Sequence, residues 1–370
     1  MQPKRVLHIV GKMDRAGAET MLMNLYRHIN RDEFQFDFIT FTNDKGDYDD
    51  EIAKLGGKII PIIAKDPISR TLKLTRFLKK NPEYKIVHAH MLLSNAFHLL
   101  AAKTAGVRHR ISHSHNTSNG KVGVLNKAYE RWSLLMNRNL ATSKVACGIE
   151  AAEYLFGNES DVLILKNAVD VDNLNNIADN SRSYIQDQIK GYKSDSDLNI
   201  LQVGRLSDVK NHKFSLEVMK ELKRLKVKFN FLIAGKGPLE SYLKELALEM
   251  DLDDCVSFLG VRTDIIQLMA SADFMIMPSK HEGFPVVLVE SQCTGLKSLV
   301  SDQVSIEVDL GLNLVEFLPI KDPKIWAQNI IKSKTISSPS ASIIRNKLQL
   351  AGFDVTANAI KLAQTYNSFQ

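Results

Sequence analysis

DFMIMPSKHEGFPVVLVESQCTG, residues 273–295, is the stretch whose reading decides the fold. DFMIMPS is short, apolar and uninterrupted, the pattern of a strand buried on both faces. KHEG reads as its exit loop. From Pro285 the run PVVLVESQCTG reads as a helix, with proline preset for the first turn. Strand, loop and helix in this order make half of a βαβ unit. A helix N-terminus presents free N–H groups and a partial positive charge, so the turn at Pro285 is suited to phosphate. Two carboxylates, Glu282 and Glu290, bracket it. A carboxylate facing phosphate would repel it, so both are expected to accept hydrogen bonds from hydroxyl groups to either side. At ~1.5 Å per residue, Glu290 lies about 7–8 Å along the axis from Pro285 and leans back toward the N-terminus, within reach of a ribose. Glu282, in the loop, would meet the group on the opposite side. The plainer alternative is that Glu282 complements the helix dipole and Glu290 makes a surface ion pair.

The same unit repeats outward from this stretch. NILQVG (199–204), FNFLIAG (229–235), CVSFLG (255–260) and KSLVSD (297–302) read as strands, with helical runs such as KFSLEVMKELKRL and PLESYLKELALEM between them. The first half alternates likewise. RVLHIV (5–10), FQFDFITF (34–41), KIIPII (58–63), KIVHAH (85–90) and HRISHSH (109–115) are strand-like; ETMLMNLYRHI (19–29), ISRTLKLTRFLKK (68–80) and SNAFHLLAAKTAG (94–106) are helical. Strands alternating with helices predict α/β domains with parallel sheets covered on both faces. A chain of 370 residues exceeds one ordinary core, so two domains are expected. LKNAVDVDNLNNIADNSRS (165–183), rich in Asn, Asp and Ser and poor in periodicity, marks the boundary. Two doubly wound domains in series imply a cleft, with ligands at the carboxyl ends of the strands.

Two further loops carry candidate chemistry. QVGRLSDVKNHKF puts Gly204 and Arg205 just past a strand and Lys210 at the start of the next helix. A guanidinium and an ammonium there can neutralise a diphosphate, unless they are two solvated surface cations. LIAGKGPLE has Gly235 and Gly237 in a strand-to-helix turn, but Glu240 breaks the GxGxxG fingerprint. What remains is a close approach of backbone to a ligand. Asp-x-Asp patterns at 47–49, 170–172, 195–197 and 251–253 sit in polar, loop-like contexts and read as chance.

Composition excludes several classes. Cys147, Cys255 and Cys293 are odd in number and widely spaced, without a metal-ligand pattern. The first residues hold too short an apolar run for a signal peptide, and no segment approaches the ~18 apolar residues of a membrane span. The reading is a cytoplasmic protein. The net charge of +6 resides in the first 170 residues, about +7 there against about −1 in the rest. That asymmetry suits an anionic partner or incidental surface charge. Nucleic acid fits poorly, because the basic residues are not interleaved with exposed-looking aromatics and no binding module is present.

GRLSDVKNH, LIAGKGPLESYLKELALEMDL, VSFLGVRTD, SADFMIMPSKHEGFPVVLVE and TGLKSLVSD occur in the order and spacing of the group 1 (family 4) retaining glycosyltransferases, which the chain resembles. AGAE (16–19), KIVHAH, HSHNTS (113–118) and ILKNAVD (164–170) extend the likeness over nearly the whole length. It is closest to enzymes of bacterial exopolysaccharide or capsule assembly. The resemblance implies a GT-B architecture, two Rossmann-like domains with parallel sheets facing across a cleft. The expected division is 1–168 on the acceptor side and 169–350 on the nucleotide-sugar side, with a C-terminal helix in 351–370 crossing back to the first domain.

Roles follow by resemblance. Arg205 and Lys210 match the diphosphate pair, beside Gly204 and Gly235. Glu290 matches the ribose-binding glutamate and Glu282 the one beside the donor sugar. Gly283, Phe284, Pro285 and Val286 match backbone contacts to sugar and phosphate, and Val261 the backbone that reads the base. His115 matches the active-site histidine, ahead of His113. Gly17 matches a glycine loop near donor and acceptor. With Glu282, Arg205, Lys210 and His115 as the catalytic set, neither metal nor other cofactor is expected. Ala16, Ala168 and Lys297 depart from Gly, Gly and Pro. The implied reaction moves a sugar, with retention, from a nucleoside-diphosphate sugar, a UDP-sugar by resemblance, to a glycan or polyprenyl-linked acceptor. The basic amphipathic segments 68–80 and 127–139 could touch an anionic membrane, or be ordinary helices with a solvated basic face. A UDP-sugar epimerase of this fold and a non-catalytic nucleotide-sugar-binding module are the rival readings.

Overall fold

The computed structural model describes residues 2–116, 123–157, 160–179, 181, 183–188, 198–282, 284–333 and 339–368. Contacts divide the chain into two compact units, Met1–Ala168 with Gly352–Gln370, and Val169–Ala351.

The first unit holds seven strands: β1 Lys4–Ile9, β2 Phe34–Thr40, β3 Lys58–Pro61, β4 Ile86–Ala89, β5 His109–Ser114, β6 Ser143–Ala146 and β7 Val162–Ile164. They are all parallel, in the order β3-β2-β1-β4-β5-β6-β7. Alternation along each strand sends side chains to opposite faces. Val6, Phe34, Phe36, Phe38, Ile86 and Ile111 pack on one face, whereas Leu7, Ile9, Ile39, Val87 and Ala89 pack on the other. The helices Gly17–His28 and Val355–Asn367 cover the first of these faces. The last helix starts cleanly because the Asp354 carboxylate accepts from the Thr356 and Ala357 N–H groups, at 2.8 and 3.2 Å.

The second unit holds β8 Leu198–Val203, β9 Phe229–Ala234, β10 Val256–Gly260, β11 Phe274–Met277, β12 Lys297–Ser301 and β13 Val315–Leu318. Their order is β10-β9-β8-β11-β12-β13, again all parallel. In both units the strand order reverses beside the first strand, the doubly wound Rossmann topology with its ligand-binding crevice at the reversal. Every residue of β9 and of β11 is buried. That is why FMIM, and FNFLIA apart from Asn230, whose buried amide donates to Asn199 Oδ1 at 3.0 Å, read as apolar runs rather than alternating ones. The expected α/β class and the parallel, doubly wound sheets are what the chain forms.

Local differences have local causes. The stretch 165–183, marked from sequence as a boundary poor in periodicity, contains the helix Val171–Asp179. Asp170 accepts from Asn173 N at 3.0 Å, and Val171 and Leu174 are buried, so a cap and a narrow apolar stripe suffice amid polar residues. The strands β6, β7 and β13 have three or four residues each, too short for periodicity to reveal. Lys297, the departure from proline, reaches Ser333 Oγ at 2.8 Å and Glu316 at 3.4 Å.

Candidate functional site

In the second unit the reversal lies between β8 and β11, and their exit loops are laced together. Lys280 N donates to Val209 O at 2.8 Å, and its ammonium lies 2.7 Å from Asp208. Asn211 Nδ2 donates to Pro278 O at 3.1 Å. Asn211 sits at φ 53, a left-handed conformation that Asn adopts more readily than most residues. The buried Gln202, last but one in β8, donates to Lys210 O at 3.0 Å. A Cβ on Gly204 would stand 3.2 Å from Lys210 Cε, so the lysine stem runs across the bare glycine. Gln202, Asp208, Asn211 and Lys280 escaped the sequence reading. Only VKNH, a turn-forming Asn directly before a helix, hinted at any of them.

Lys210 and Glu282, assigned from sequence to different parts of a ligand, meet each other. Nζ lies 2.6 Å from Oε1, both side chains half-buried, in a charge contact without hydrogen-bond alignment. A parallel bridge to Val304 sets the backbone of Glu282. Arg205 is exposed and, among the described residues, has no carboxylate partner. The positive charge of these loops is therefore carried by Arg205 and by the open N-terminus of the helix Val286–Cys293. That helix begins one residue later than the sequence suggested. Pro285 is its N-cap, extended at ψ 102, and no side chain caps the helix. Phe284 is half-buried against the apolar core of this face, and Pro285 is buried. Gly283 lies outside the described residues.

Glu290 is on the second turn of this helix and half-buried. No cation among the described residues pairs with it, and desolvation pushes its carboxyl up to about 7. Among the described residues the surface ion pair offered as its plainer role is not formed. Val261 follows β10 and is 64% exposed, at the far end of the row of strand exits.

Gly235 and Gly237 make the close approach expected of them, but to the chain itself. A Cβ at Gly235, whose φ is +149, would fall 2.0 Å from Gly204 O; one at Gly237 would fall 2.2 Å from Leu206 O. Leu206 N donates to Lys236 O, and Leu239 N to Leu206 O, each at 3.1 Å. These glycines let the β9 exit loop lie flat against the loop that carries Arg205. Gly235→Ala should cost about 2–4 kcal/mol, through both the positive φ and the backbone collision. Urea denaturation checks this; a midpoint equal to that of the parent chain would refute the packing argument.

In the first unit the candidates sit at the exits of β1 and β5. Gly17 opens the helix Gly17–His28, and a Cβ there would meet nothing within 4 Å, so no internal packing demands glycine. His115 directly follows β5 and is half-buried, whereas His113 is fully buried. Both belong to a row of five histidines on one sheet face: His8 on β1, His88 and His90 at β4, His113 and His115 at β5. His8 Nδ1 lies 3.0 Å from His90 Nε2, and His90 Nδ1 lies 3.0 Å from His115 Nε2. His88 Nδ1 lies 2.9 Å from the hydroxyl of Tyr366 on the last helix. Burial disfavours the imidazolium form throughout, pulling His8 down to about 3 and His115 to about 4, with His88, His90 and His113 well below the usual range. The ligand nitrogens of His8, His88 and His90, and of His90, His113 and His115, come within 4.8 Å of one another. Two of the nitrogen pairs are already hydrogen-bonded. The His113 and His115 rings are stacked at 4.1 Å, so their in-plane lone pairs run side by side rather than converge as a metal site requires.

Two Rossmann-like domains in one chain, with phosphate-suited loops and a paired-glutamate turn at the reversal of the second sheet, are the build of a GT-B glycosyltransferase. Residues 185–334 match the family described as glycosyl transferases group 1, and residues 15–173 match glycosyltransferase family 4. The chain is 38% identical to EpsF of Bacillus subtilis (strain 168), glycosyltransferase by name, over 98% of this chain and 96% of that one. It is 25% identical to the capsular polysaccharide biosynthesis glycosyltransferase CapH of Staphylococcus aureus, over 98% and 99%. The fold is shared with Anabaena HepE, crystallised with UDP, at a TM-score of 0.78 and 18% identity over 99% and 100% of the two chains. The chain belongs to the group 1 glycosyltransferases and is an enzyme of that class. The epimerase and binding-module readings give way to this membership.

Proposed function

We propose that the enzyme transfers a sugar from a UDP-sugar to a glycan or polyprenyl-linked acceptor during exopolysaccharide or capsule assembly, with retention and without a metal. The observation that carries this reading is the row of loop exits in the second unit. Val261, the Arg205 loop and the Glu282–Glu290 turn span three strand spacings, ~14 Å at ~4.8 Å each, a reach suited to base, diphosphate and sugar in line. Arg205, Lys210 and the N–H groups at the start of the helix Val286–Cys293 would take the charge that builds on the leaving diphosphate. Glu290 would hold the ribose hydroxyls. Glu282 would meet the donor sugar, once its lysine turns to phosphate. Gly17 and His115 would contact donor or acceptor. The bond from the anomeric carbon to the diphosphate breaks, and the bond to the acceptor oxygen forms on the same face. The acceptor proton passes to the leaving phosphate oxygen. The UDP bound to HepE and the polysaccharide role in the name of CapH support the choice of donor and pathway class.

The test is turnover with a panel of nucleoside-diphosphate sugars on membrane-lipid extracts, with the product's anomeric configuration read by NMR. An inverted product would remove the retaining mechanism. Complete loss of transfer in EDTA would remove the metal-free one.

A membrane contact belongs to the same reading. The helices Pro67–Lys80 and Val124–Leu140 both pack against the helix Asn95–Thr104, and so share one side of the first sheet. Ile68, Leu72, Val124, Leu125 and Leu135 are exposed there, among the exposed Lys73, Arg76, Lys79, Lys80, Lys127 and Arg131. Trp132 and Tyr129, about one-third exposed, gather around Phe97. Among the described residues no helix is long and apolar enough to cross a membrane. Cosedimentation with anionic vesicles is expected at low salt and should weaken at high salt, as charge attraction is screened. Absence of binding at low salt would refute the contact.

A further inference from the structure

Of the five histidines in the row, His115 alone is half-buried; the other four are buried. A neutral imidazole carries one N–H and one lone pair. The contacts His8 Nδ1···Nε2 His90 and His90 Nδ1···Nε2 His115 each require a single proton between their nitrogens. With three neutral rings in series, only two arrangements satisfy both. In one, His8 Nδ1–H donates to His90, His90 Nδ1–H donates to His115 Nε2, and the His115 proton sits on Nδ1. In the other, both bonds run inward and the His8 proton sits on Nε2. Either way, one N–H is left over at one end of the chain and one lone pair at the other.

The two ends are not equivalent. His8 is 0% exposed, and among the described residues its Nε2 has no protein partner. The rings of Phe36 and Phe38 lie 4.2 and 5.3 Å from the His8 ring. His115 Nδ1 is likewise buried and, among the described residues, without a protein partner, but it belongs to a half-buried residue at the strand exits, where a bound ligand can supply one. An unpaired buried N–H is costly, and only the half-buried His115 end can have it relieved by a ligand, so the surplus proton belongs there. We propose that His8 and His90 are positioning residues that hold His115 as the neutral Nδ1–H tautomer, donating from Nδ1 to an oxygen of the bound donor or acceptor. This rests on the reading of His115 as the ligand-facing histidine. It adds the direction of that hydrogen bond and names the residues that impose it. His113, stacked at 4.1 Å on His115 and fully buried, restricts the ring's rotation but takes no part in the chain.

The test is long-range ¹H–¹⁵N NMR of the histidine-labelled, full-length protein, with His115 assigned by its loss in His115→Gln. The wild-type protein should give His115 protonated at Nδ1. His8→Phe, which keeps an aromatic ring against Phe36 and Phe38 but donates nothing, should release the constraint and populate the Nε2–H form. His8→Asn, whose amide N–H can stand in for the Nδ1 donor, should restore the Nδ1–H form. In the transfer assay His8→Phe should lower kcat about tenfold with donor KM within about twofold, and His8→Asn should recover most of the loss. An Nε2–H tautomer in the wild-type protein overturns the proposal even if no variant folds. So does an unchanged tautomer in His8→Phe. An Nδ1–H tautomer without any transfer activity would instead uphold the relay and count against the proposed reaction.

Discussion

Glu290→Gln is expected to stabilise the protein above pH 7 while crippling donor binding. The Glu290 carboxyl is half-buried, has no cation beside it among the described residues, and is pushed up to about 7 by desolvation. In the folded protein it therefore holds its proton at pH values where the unfolded chain, with an ordinary carboxyl near 4.5, has lost it. The folded state binds more protons across that window, so stability falls as pH rises from about 4.5 through about 7. Glutamine is free of this penalty. At pH 8 the variant should be more stable by about 1–3 kcal/mol, since a tenfold change in proton affinity corresponds to about 1.4 kcal/mol and partial exposure reduces the total. The gain should shrink as pH falls and be gone by about pH 4. Donor binding should move the other way. A carboxylate accepts two ribose hydroxyls better than an amide can, and such charged hydrogen bonds are worth about 1.5–3 kcal/mol. Because the ribose is remote from the reacting bond, the loss should appear mainly as a roughly 10- to 100-fold rise in donor KM. Urea denaturation at several pH values, alongside steady-state kinetics, checks both halves. An unchanged donor KM would remove Glu290 from the site, and a stability gain that persists at pH 4 would refute its raised pKa as the cause.

Lys210→Ala should be damaging in two separable ways. It removes an ammonium proposed to stabilise the leaving diphosphate, and the loss of one such preorganised charge typically costs about 10²–10³ in kcat. It also strands Glu282, whose Oε1 is buried and, among the described residues, has only the lysine ammonium against it, at 2.6 Å. An uncompensated, partly buried carboxylate should cost about 1–3 kcal/mol of stability. Adding Glu282→Gln to Lys210→Ala should recover the stability, because no charge is then left unpaired, but not the turnover. Denaturation midpoints and single-turnover rates of the two variants decide the matter. Turnover of Lys210→Ala within about threefold of the parent would remove the lysine from the chemistry. A double variant no more stable than the single one would show that the ion pair contributes nothing to folding.

The pairing behind that prediction exposes how far the sequence could be read. LSDVKNH and KHEGFP each announced a charged loop at the end of a buried strand, and both loops are there. Nothing in either stretch indicated that Lys210 and Glu282 touch, because that depends on β8 and β11 being neighbours in the sheet. Gly235 was legible as a tight turn, but not that a side chain there would meet Gly204 O. Glu290 was legible as a carboxylate one and a half turns into a helix. Its desolvation, which drives its pH behaviour, is a property of the space around it.

The amino-acid sequence by itself determined the alternation of buried strands and amphipathic helices, the division into two doubly wound domains, and the loops on which the charged residues lie. Those features follow from periodicity and turn chemistry, which act between residues close together in the chain. Tertiary structure alone decided which charges meet and which stay alone, and that five histidines from three strands form one row. Strand order and register bring side chains from distant segments to hydrogen-bonding distance, and no local pattern records that proximity.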